Sequence, residues 1–307
     1  MLFVFLEFVN SVVVIIIHSL SAVINNVIPM FLWPKKPIQD EIALVTGGGS
    51  GIGREIALNL ARSKCRVVLW DVNEKGNEET ARMIQELGGK VSSYYCDVTN
   101  KEMVYKLAEE VKRDVGNVTL LVNNAGIVNG KKLLDIPDEK ILATFSVNTL
   151  AHFWTLKAFL PSMMEVNKGH VVTVASVLAE CGIPYCSDYC ASKSAAKALH
   201  QAAAREMIIA GSDIKFTLVC PYLVTSGLFR GTSTRFPWIL PHLTPEYVGR
   251  KVVEAIQTNQ EYLYLPHQIH AAVLLEHILP FKGQLVMEEF MGANVAMQTF
   301  TGREKEV

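Results

Sequence analysis

The chain has 307 residues, enough for one large α/β domain or two small ones. Its formal net charge of −1 gives no electrostatic case for nucleic-acid binding. Hydrophobic residues make up 50% of the sequence, and the excess lies mainly at the two ends. The six cysteines contain no Cys-x-x-Cys pair, which suits a reduced, cytosol-facing domain better than a disulfide framework, and no histidine is spaced to complete a metal site with them.

The first 33 residues form a strongly hydrophobic segment without a basic start or a clear small-x-small cleavage site, so a removable signal peptide fits poorly. The segment is long enough to span a bilayer, which needs about 20 apolar residues. Polar residues interrupt it, so an interfacial or re-entrant anchor and a buried core helix are the alternatives. These residues are Glu7, Asn10, His18, Asn25 and Asn26.

Two basic residues follow this segment, Lys35 and Lys36, in a Pro-Lys-Lys-Pro linker. By the positive-inside tendency they place the following domain on the cytosolic side of a membrane. The sequence thus predicts a hydrophobic membrane anchor and linker over residues 1–36 and a separate domain over residues 37–307.

A glycine-rich turn opens this domain. Ile42 to Val45 reads as a short buried strand, Thr46 to Gly53 is the turn, and Arg54 to Ser63 has the pattern of an amphipathic helix. Glycines let the backbone approach a pyrophosphate closely, and the start of the helix supplies free N–H groups and a positive dipole. Strand, turn and helix in this order predict a dinucleotide site.

The second predicted strand, Arg66 to Trp70, ends at Asp71, about 20 residues beyond the glycines. A carboxylate at this place can accept hydrogen bonds from the adenosine ribose hydroxyls and would repel a 2′-phosphate. The turn holds no basic residue before Gly51, and Val72 follows the carboxylate. The pattern therefore favours NAD over NADP, while a plain helix-capping role for Asp71 is the alternative.

Further βα units follow at the spacing of a parallel sheet, and together they predict a doubly wound, Rossmann-type α/β fold. One strand closes at Asp97, and another runs into Asn123-Asn124-Ala125-Gly126, where small residues permit close approach and amide side chains can fasten neighbouring strands. Asp138 to Met164 reads as one long helical stretch that carries Asn148.

The chemistry of the chain centres on Ser176, Tyr189 and Lys193. Ser176 ends a buried strand, and Tyr189 and Lys193 are four residues apart on the predicted helix that follows, so they share a face. A neighbouring ammonium would lower the pKa of the phenol, which ordinarily titrates near pH 10, and would let it exchange a proton near neutrality. Ser176 could hydrogen-bond the same substrate oxygen.

These motifs, in this order and spacing from Ile42 to Leu265, closely resemble the short-chain dehydrogenase/reductase family. The resemblance implies that Tyr189 is the general acid/base, that Lys193 lowers its pKa and holds the nicotinamide ribose, that Ser176 orients the substrate oxygen, and that Asn148 anchors a water. It also implies NAD as cofactor. The implied cofactor-binding residues are Gly47, Ser50, Gly51, Ile52, Gly53, Asp71, Asp97, Val98, Asn124, Ala125, Gly126, Tyr189, Lys193, Pro221, Val224 and Thr225.

One position departs from the family pattern, because Pro221 is followed by Tyr222 where the family usually has glycine. With its hydrophobic N-terminus the chain resembles the membrane- and lipid-droplet-associated branch that includes retinol and hydroxysteroid dehydrogenases. The resemblance implies an enzyme of the endoplasmic reticulum membrane or lipid droplet that oxidises a lipophilic alcohol, retinol first. The alternatives are a hydroxysteroid or long-chain alcohol as substrate, or a non-catalytic membrane scaffold. In this family the C-terminal tail closes the substrate pocket and contributes to subunit contacts, which makes a homodimer a further expectation.

Overall fold

The computed structural model describes residues 7, 8, 10–14 and 33–302. The chain divides into two compact units, Met1–Lys36 and Pro37–Val307. Within the described residues, no helix has the length and apolar character needed to cross a membrane. Most of the predicted anchor, residues 1–6, 9 and 15–32, lies outside the described part of the chain, so the anchor stays a prediction.

The second unit is built on a seven-stranded parallel sheet with the strand order β3-β2-β1-β4-β5-β6-β7. Its central strands are continuous apolar runs because helices cover both faces, and the predicted doubly wound fold is confirmed. The order reverses between β1 and β4, which opens a crevice at their carboxyl ends. The strands are β1 Ile42–Thr46, β2 Arg66–Asp71, β3 Lys90–Tyr95, β4 Leu120–Asn123, β5 His170–Val174, β6 Lys215–Pro221 and β7 Tyr262–Leu265.

Helices connect the strands in two groups. α1 packs against α2 and α7, while α3 packs against α5, and α6 follows β5 and leads into β6. Two further helices, α8 and α9, follow the last strand. The helices are α1 Gly51–Arg62, α2 Glu74–Glu86, α3 Lys101–Asp114, α4 Asp138–Phe145, α5 Ala151–Glu165, α6 Ser187–Ile209, α7 Pro245–Thr258, α8 Ile269–Ile278 and α9 Phe281–Met291.

The predicted single helix from Asp138 to Met164 contains a wider, π-helical turn, Ser146–Leu150, between α4 and α5. Asn148 lies in this turn and is fully buried. Its side chain forms hydrogen bonds with Ile127 and Ser192 on other segments. Such π turns are short, and they frequently occur at functional sites.

One core cluster lies between the sheet and helices α3, α5 and α6. Trp70 at the end of β2 packs on Phe159 of α5, with ring centroids 5.6 Å apart. Full burial of such an apolar side chain contributes roughly 1.5–3 kcal/mol. This packing fixes the carboxyl ends of β1, β2 and β4, where the predicted cofactor residues lie.

Candidate active site

The glycine turn between β1 and α1 is held in a tight, pre-formed shape. A Cβ at Gly53 would lie 2.0 Å from the carbonyl oxygen of Gly47, so only glycine fits where helix and turn meet. The Arg54 guanidinium donates to the carbonyl of Gly49 at 2.6 Å and pairs with Glu79 at 2.7 Å. The first N–H groups of α1 therefore face an open backbone cradle of the kind that accepts a pyrophosphate.

Asp71 stands at the end of β2 and is tied to this turn. One carboxylate oxygen accepts a hydrogen bond from Gly49 N–H at 2.8 Å, and the other accepts from Asn73 N–H at 2.9 Å. The residue that caps α2 is Asn73, whose side chain accepts from Gly76 N–H at 3.0 Å. Asp71 is therefore not the N-cap of α2, and its side chain lines the cleft beside the glycine turn.

The turn after β4 is fastened to the glycine turn by an amide side chain, as the sequence predicted. Asn124 Nδ2 donates to the carbonyls of Thr46 and Gly47, at 2.9 and 3.2 Å. Gly126 brings the same turn beside the catalytic candidates, because a Cβ there would lie 3.4 Å from both Lys193 Nζ and Asn148 Oδ1. Residues of both turns thus lie side by side and line the same cleft.

A single cleft brings together nearly all of the predicted cofactor residues. They include the glycine turn, Asp71, the turn after β4 and the end of β6. Two predicted residues, Asn148 and Thr225, do not line this cleft. Asn148 is fully buried. Thr225 donates hydrogen bonds from its N–H and its hydroxyl to the carbonyl of Leu243. The predicted residues that line the cleft are Gly47, Ser50, Gly51, Ile52, Gly53, Asp71, Asp97, Val98, Asn124, Ala125, Gly126, Ser176, Tyr189, Lys193, Pro221 and Val224.

Ser176, Tyr189 and Lys193 meet at one end of this cleft. Ser176 follows β5, while Tyr189 and Lys193 lie on the first two turns of α6 and are each 3% exposed. Lys193 Nζ donates to the carbonyl of Val174 at 2.8 Å and lies 5.8 Å from the centre of the Tyr189 ring. The predicted shared helix face is therefore real, and it points into the cleft.

The pKa of Tyr189 lies above the ordinary value of a phenol, opposite to the direction expected from the sequence. Burial is the main cause, because it penalises the phenolate, while a hydrogen bond with the Ser176 side chain acts in the lowering direction. Burial also lowers the pKa of Lys193, to about 8. Burial thus raises the pKa of the phenol and lowers that of the neighbouring ammonium.

Asn148 uses its whole side chain within the protein. Its Oδ1 accepts from Ile127 N–H at 2.9 Å, and its Nδ2 donates to Ile127 O and to Ser192 Oγ, both at 3.0 Å. The side chain thus joins the turn after β4 to α6, one residue before Lys193. The predicted water anchored by Asn148 stays a prediction.

An apolar cavity adjoins the cleft at its catalytic end and shares Ser176, Tyr222 and Phe229 with it. Side chains from α8, α9 and the C-terminal segment line its far side, among them Ile269 and Met291. Sequence reasoning singled out Tyr222 but missed Phe229, since no spacing or motif marks an aromatic residue in the loop after β6. Across the described ranges, no group of three or more histidine, cysteine, aspartate or glutamate side chains could hold a metal ion.

Comparisons with known proteins place the chain among enzymes. The chain is 43% identical over 290 residues to epidermal retinol dehydrogenase 2 of Homo sapiens, an alignment that covers 94% of this chain and 93% of the relative. It is 42% identical to short-chain dehydrogenase/reductase family 16C member 6 of Bos taurus, with 94% and 91% covered. It is also 42% identical to retinol dehydrogenase 10-B of Danio rerio, with 90% and 89% covered.

Solved structures share the same architecture. A short-chain dehydrogenase/reductase from Burkholderia phymatum, solved in complex with NAD, superposes with a TM-score of 0.72 and 28% identity, covering 78% of this chain and 94% of the other. An alcohol dehydrogenase from Thermococcus sibiricus, complexed with 5-hydroxy-NADP, gives a TM-score of 0.66 and 29% identity, covering 73% and 95%. The sequence profile of the short chain dehydrogenase family matches residues 41–235. The resemblance drawn from the motifs is thereby confirmed, and the chain belongs to the short-chain dehydrogenase family.

Proposed function

We propose that this protein is an NAD-dependent dehydrogenase that oxidises a lipophilic alcohol, with retinol as the favoured substrate. One observation carries the proposal: Ser176, Tyr189 and Lys193 meet where the cleft lined by the predicted cofactor residues joins an apolar cavity. Family membership and the NAD-bound relative support the reaction class and the cofactor. The relatives named as retinol dehydrogenases support the choice of alcohol.

In this mechanism the protein's own side chains bind the alcohol and accept its hydroxyl proton. Bound NAD supplies the hydride acceptor. Ser176 orients the alcohol oxygen, and Tyr189, in its phenolate form, accepts the hydroxyl proton at its phenolic oxygen and becomes the neutral phenol. Lys193, held by Val174 O, contributes positive charge and binds the nicotinamide ribose. Burial of Tyr189 excludes water from the transfer.

The preference for NAD rests on Asp71. Its carboxylate is fixed by two backbone N–H groups at the place where the adenosine ribose would lie, and it would repel a 2′-phosphate. The nearest basic side chain on α1, Arg54, is already engaged by Glu79 and the Gly49 carbonyl. Val72, 57% exposed beside the carboxylate, adds no positive charge.

The test is product identification. The full-length protein, in membranes and after detergent extraction, would be assayed with NAD against retinol, hydroxysteroids and long-chain primary alcohols, with Tyr189→Phe as the matched control. We expect retinal as the main product and a loss of nearly all turnover in the variant. Tyr189→Phe activity above about a tenth of wild type would refute the proton role, since a general acid/base contributes about 10²–10⁴-fold. No turnover by the wild type with any alcohol would favour the scaffold alternative.

We further propose that the enzyme is attached to the endoplasmic reticulum membrane or a lipid droplet, with its catalytic domain in the cytosol. The hydrophobic segment 1–33 and the two following lysines support this. The outer sides of α8 and α9 add an exposed apolar surface, which includes Ile278, Phe281 and Val286, each more than 60% exposed. A homodimer stays a prediction.

The chain contains its own reporter of orientation. Asn117-Val118-Thr119 is a glycosylation acceptor, and Asn117 is exposed in the loop before β4. If the domain is cytosolic, Asn117 carries no glycan, and protease added to sealed microsomes digests the domain. A version in which residues 1–33 are replaced by a cleavable signal peptide should acquire a glycan, and Asn117→Gln should not. A glycosidase-sensitive mobility shift in the native protein would reverse the proposed orientation.

A further inference from the structure

The last described residues, 296–302, lie against the loop that follows β6; we call them the tail clasp. Backbone hydrogen bonds join the two segments. Ser233 N–H donates to Ala296 O at 3.3 Å, and Thr301 N–H donates to Arg230 O at 2.9 Å. The Thr299 hydroxyl donates to the carbonyl of Gly231. The tail clasp thus holds the part of the loop that begins at Phe229.

Two glycines in different loops lie in close contact with the tail clasp. Gly130, in the loop after β4, has φ +64, and a Cβ there would lie 2.0 Å from Cδ1 of Phe300. Gly231, in the loop after β6, has φ +83, and a Cβ there would lie 2.2 Å from the carbonyl oxygen of Thr299. Both positions combine a left-handed backbone with close contact, so neither tolerates a larger residue while the tail clasp is in place.

Phe229 connects the tail clasp with the catalytic tyrosine. Its ring meets the Tyr189 ring edge-on at 5.4 Å between centroids, and the Phe300 ring at 6.4 Å. Phe229 and Phe300 belong to the same apolar cluster as Tyr189 and Met297. Because Phe229 lines both the cofactor cleft and the apolar cavity, it borders the route by which an alcohol would reach Tyr189.

We propose that Phe229 determines which alcohols reach Tyr189, and that Phe300, seated on Gly130, positions Phe229 for this task. The proposal rests on the alcohol dehydrogenase function argued above. A ring fixed against Tyr189 narrows the approach to the phenolic oxygen. A primary alcohol, whose carbinol carbon carries one substituent, fits such a slot better than a secondary ring alcohol with two. The arrangement therefore selects primary lipophilic alcohols over hydroxysteroids.

The test begins with two variants that alter the contact between Phe300 and Gly130 in different ways. Phe300→Ala removes the ring, and Gly130→Ala displaces it from its seat. Phe229→Ala removes the selecting ring itself, and Phe300→Leu restores most of the apolar bulk. Phe281→Ala, which removes an exposed phenylalanine of α9 outside the tail clasp, is the matched control. All variants are full-length proteins assayed in detergent with retinol and with a secondary hydroxysteroid.

We expect Phe300→Ala and Gly130→Ala to lower kcat/KM for retinol by about ten- to hundredfold, the cost of small misplacements near reacting groups. The KM for NAD should stay unchanged in both. The ratio of kcat/KM for the primary over the secondary alcohol should fall in both and in Phe229→Ala, and Phe300→Leu should recover part of it. Hydrogen–deuterium exchange should rise in residues 228–233 in Phe300→Ala and stay at the wild-type level in Phe281→Ala.

The outcomes separate the two proposals. If the wild type is active and Tyr189→Phe is inactive, but Phe300→Ala and Gly130→Ala keep the wild-type selectivity, the positioning role of the tail clasp is wrong while the dehydrogenase function stands. An unchanged ratio in Phe229→Ala overturns the selecting role of that ring. Increased exchange over the whole domain in Phe300→Ala would indicate a merely structural role and would also overturn the proposal. If Tyr189→Phe remains fully active, the proposed function itself fails.

Discussion

Replacing Asp71 by serine should bring the use of NADP close to that of NAD. In the protein both carboxylate oxygens are held by backbone N–H groups, so the negative charge has a fixed position at the end of β2. Serine removes the charge but keeps one acceptor for the Gly49 or Asn73 N–H. Adding Val72→Arg places a cation beside the same position, where Val72 is 57% exposed.

The size of the effect follows from the charges. Two unit charges about 4 Å apart repel by about 1 kcal/mol in water and about 4 kcal/mol at an effective dielectric constant of about 20. Asp71 is partly exposed, so a repulsion of about 2–3 kcal/mol lies between these limits and corresponds to about 30- to 150-fold in kcat/KM. The wild type should prefer NAD by at least this factor. Loss of the charged hydrogen bonds to the ribose should also lower kcat/KM for NAD, by about tenfold.

The assay is kcat/KM for both cofactors with one alcohol at saturation, in wild type, Asp71→Ser and Asp71→Ser/Val72→Arg. Asp97→Asn is the control, because Asp97 lines the same cleft and its replacement removes one negative charge while Asp71 stays in place. The control should change kcat/KM for NAD and for NADP by similar factors. Equal kinetics with NAD and NADP in the wild type, or the same gain in NADP use from Asp97→Asn, would refute the reasoning.

Three further outcomes are expected. Lys193→Ala should abolish turnover and weaken NAD binding measured by calorimetry; unchanged binding would remove the lysine from the ribose site. Gly53→Ala should cost about 1–3 kcal/mol in unfolding free energy, because its Cβ would lie 2.0 Å from Gly47 O; an unchanged melting temperature would show that the turn relaxes. His152 is buried with neither ring nitrogen hydrogen-bonded, and burial lowers its pKa to about 3. The unfolded chain therefore binds a proton below pH 6.5 that the folded chain does not, which costs about 3 kcal/mol of stability by pH 4. His152→Leu should flatten this loss in urea titrations at pH 4.5 and 7, and an unchanged pH slope would contradict the assignment.

The frame of the active site could be predicted because its signals are local. Buried parallel strands are continuous apolar runs, and β1 and β2 begin at their predicted first residues, Ile42 and Arg66. The glycine turn, Asp71 and the Asn124 turn each follow such a strand directly, so finding the strands also located the cofactor cleft. The shared helix face of Tyr189 and Lys193 followed from their spacing, and the surrounding motifs supplied the catalytic interpretation of the pair.

The substrate side could not be predicted in the same way, because it depends on contacts between distant segments. Phe300 seats on Gly130, about 170 residues earlier in the chain, and no periodicity relates them. The π turn at Asn148 was missed for a related reason. In this turn Asn148 forms hydrogen bonds with the distant residues Ile127 and Ser192, whereas the local sequence has the pattern of an ordinary helix.

The pKa of Tyr189 could not be predicted from the spacing of Tyr189 and Lys193. Four-residue spacing places an ammonium near the phenol, and a unit charge at about 6 Å would at most be worth about 3 kcal/mol at an effective dielectric constant of about 20. Spacing does not reveal burial, and burial prevails here: the tyrosine is 3% exposed, its pKa is raised, and Lys193 Nζ is directed to Val174 O.

Because the pKa of Tyr189 is raised although Lys193 lies beside it, we expect that the positive charge of bound oxidised cofactor is also needed to ionise the tyrosine. We expect the phenolate difference spectrum, wild type minus Tyr189→Phe, to show no ionisation of Tyr189 up to pH 10 in the protein without NAD. With saturating NAD the same spectrum should show ionisation at a lower pH, and with NADH, whose nicotinamide ring is neutral, the shift should be smaller. Lys193→Met should raise the apparent pKa further in the NAD complex. Ionisation of Tyr189 below pH 9 without any cofactor would show that the tyrosine–lysine pair suffices, and would restore the simpler account drawn from sequence spacing.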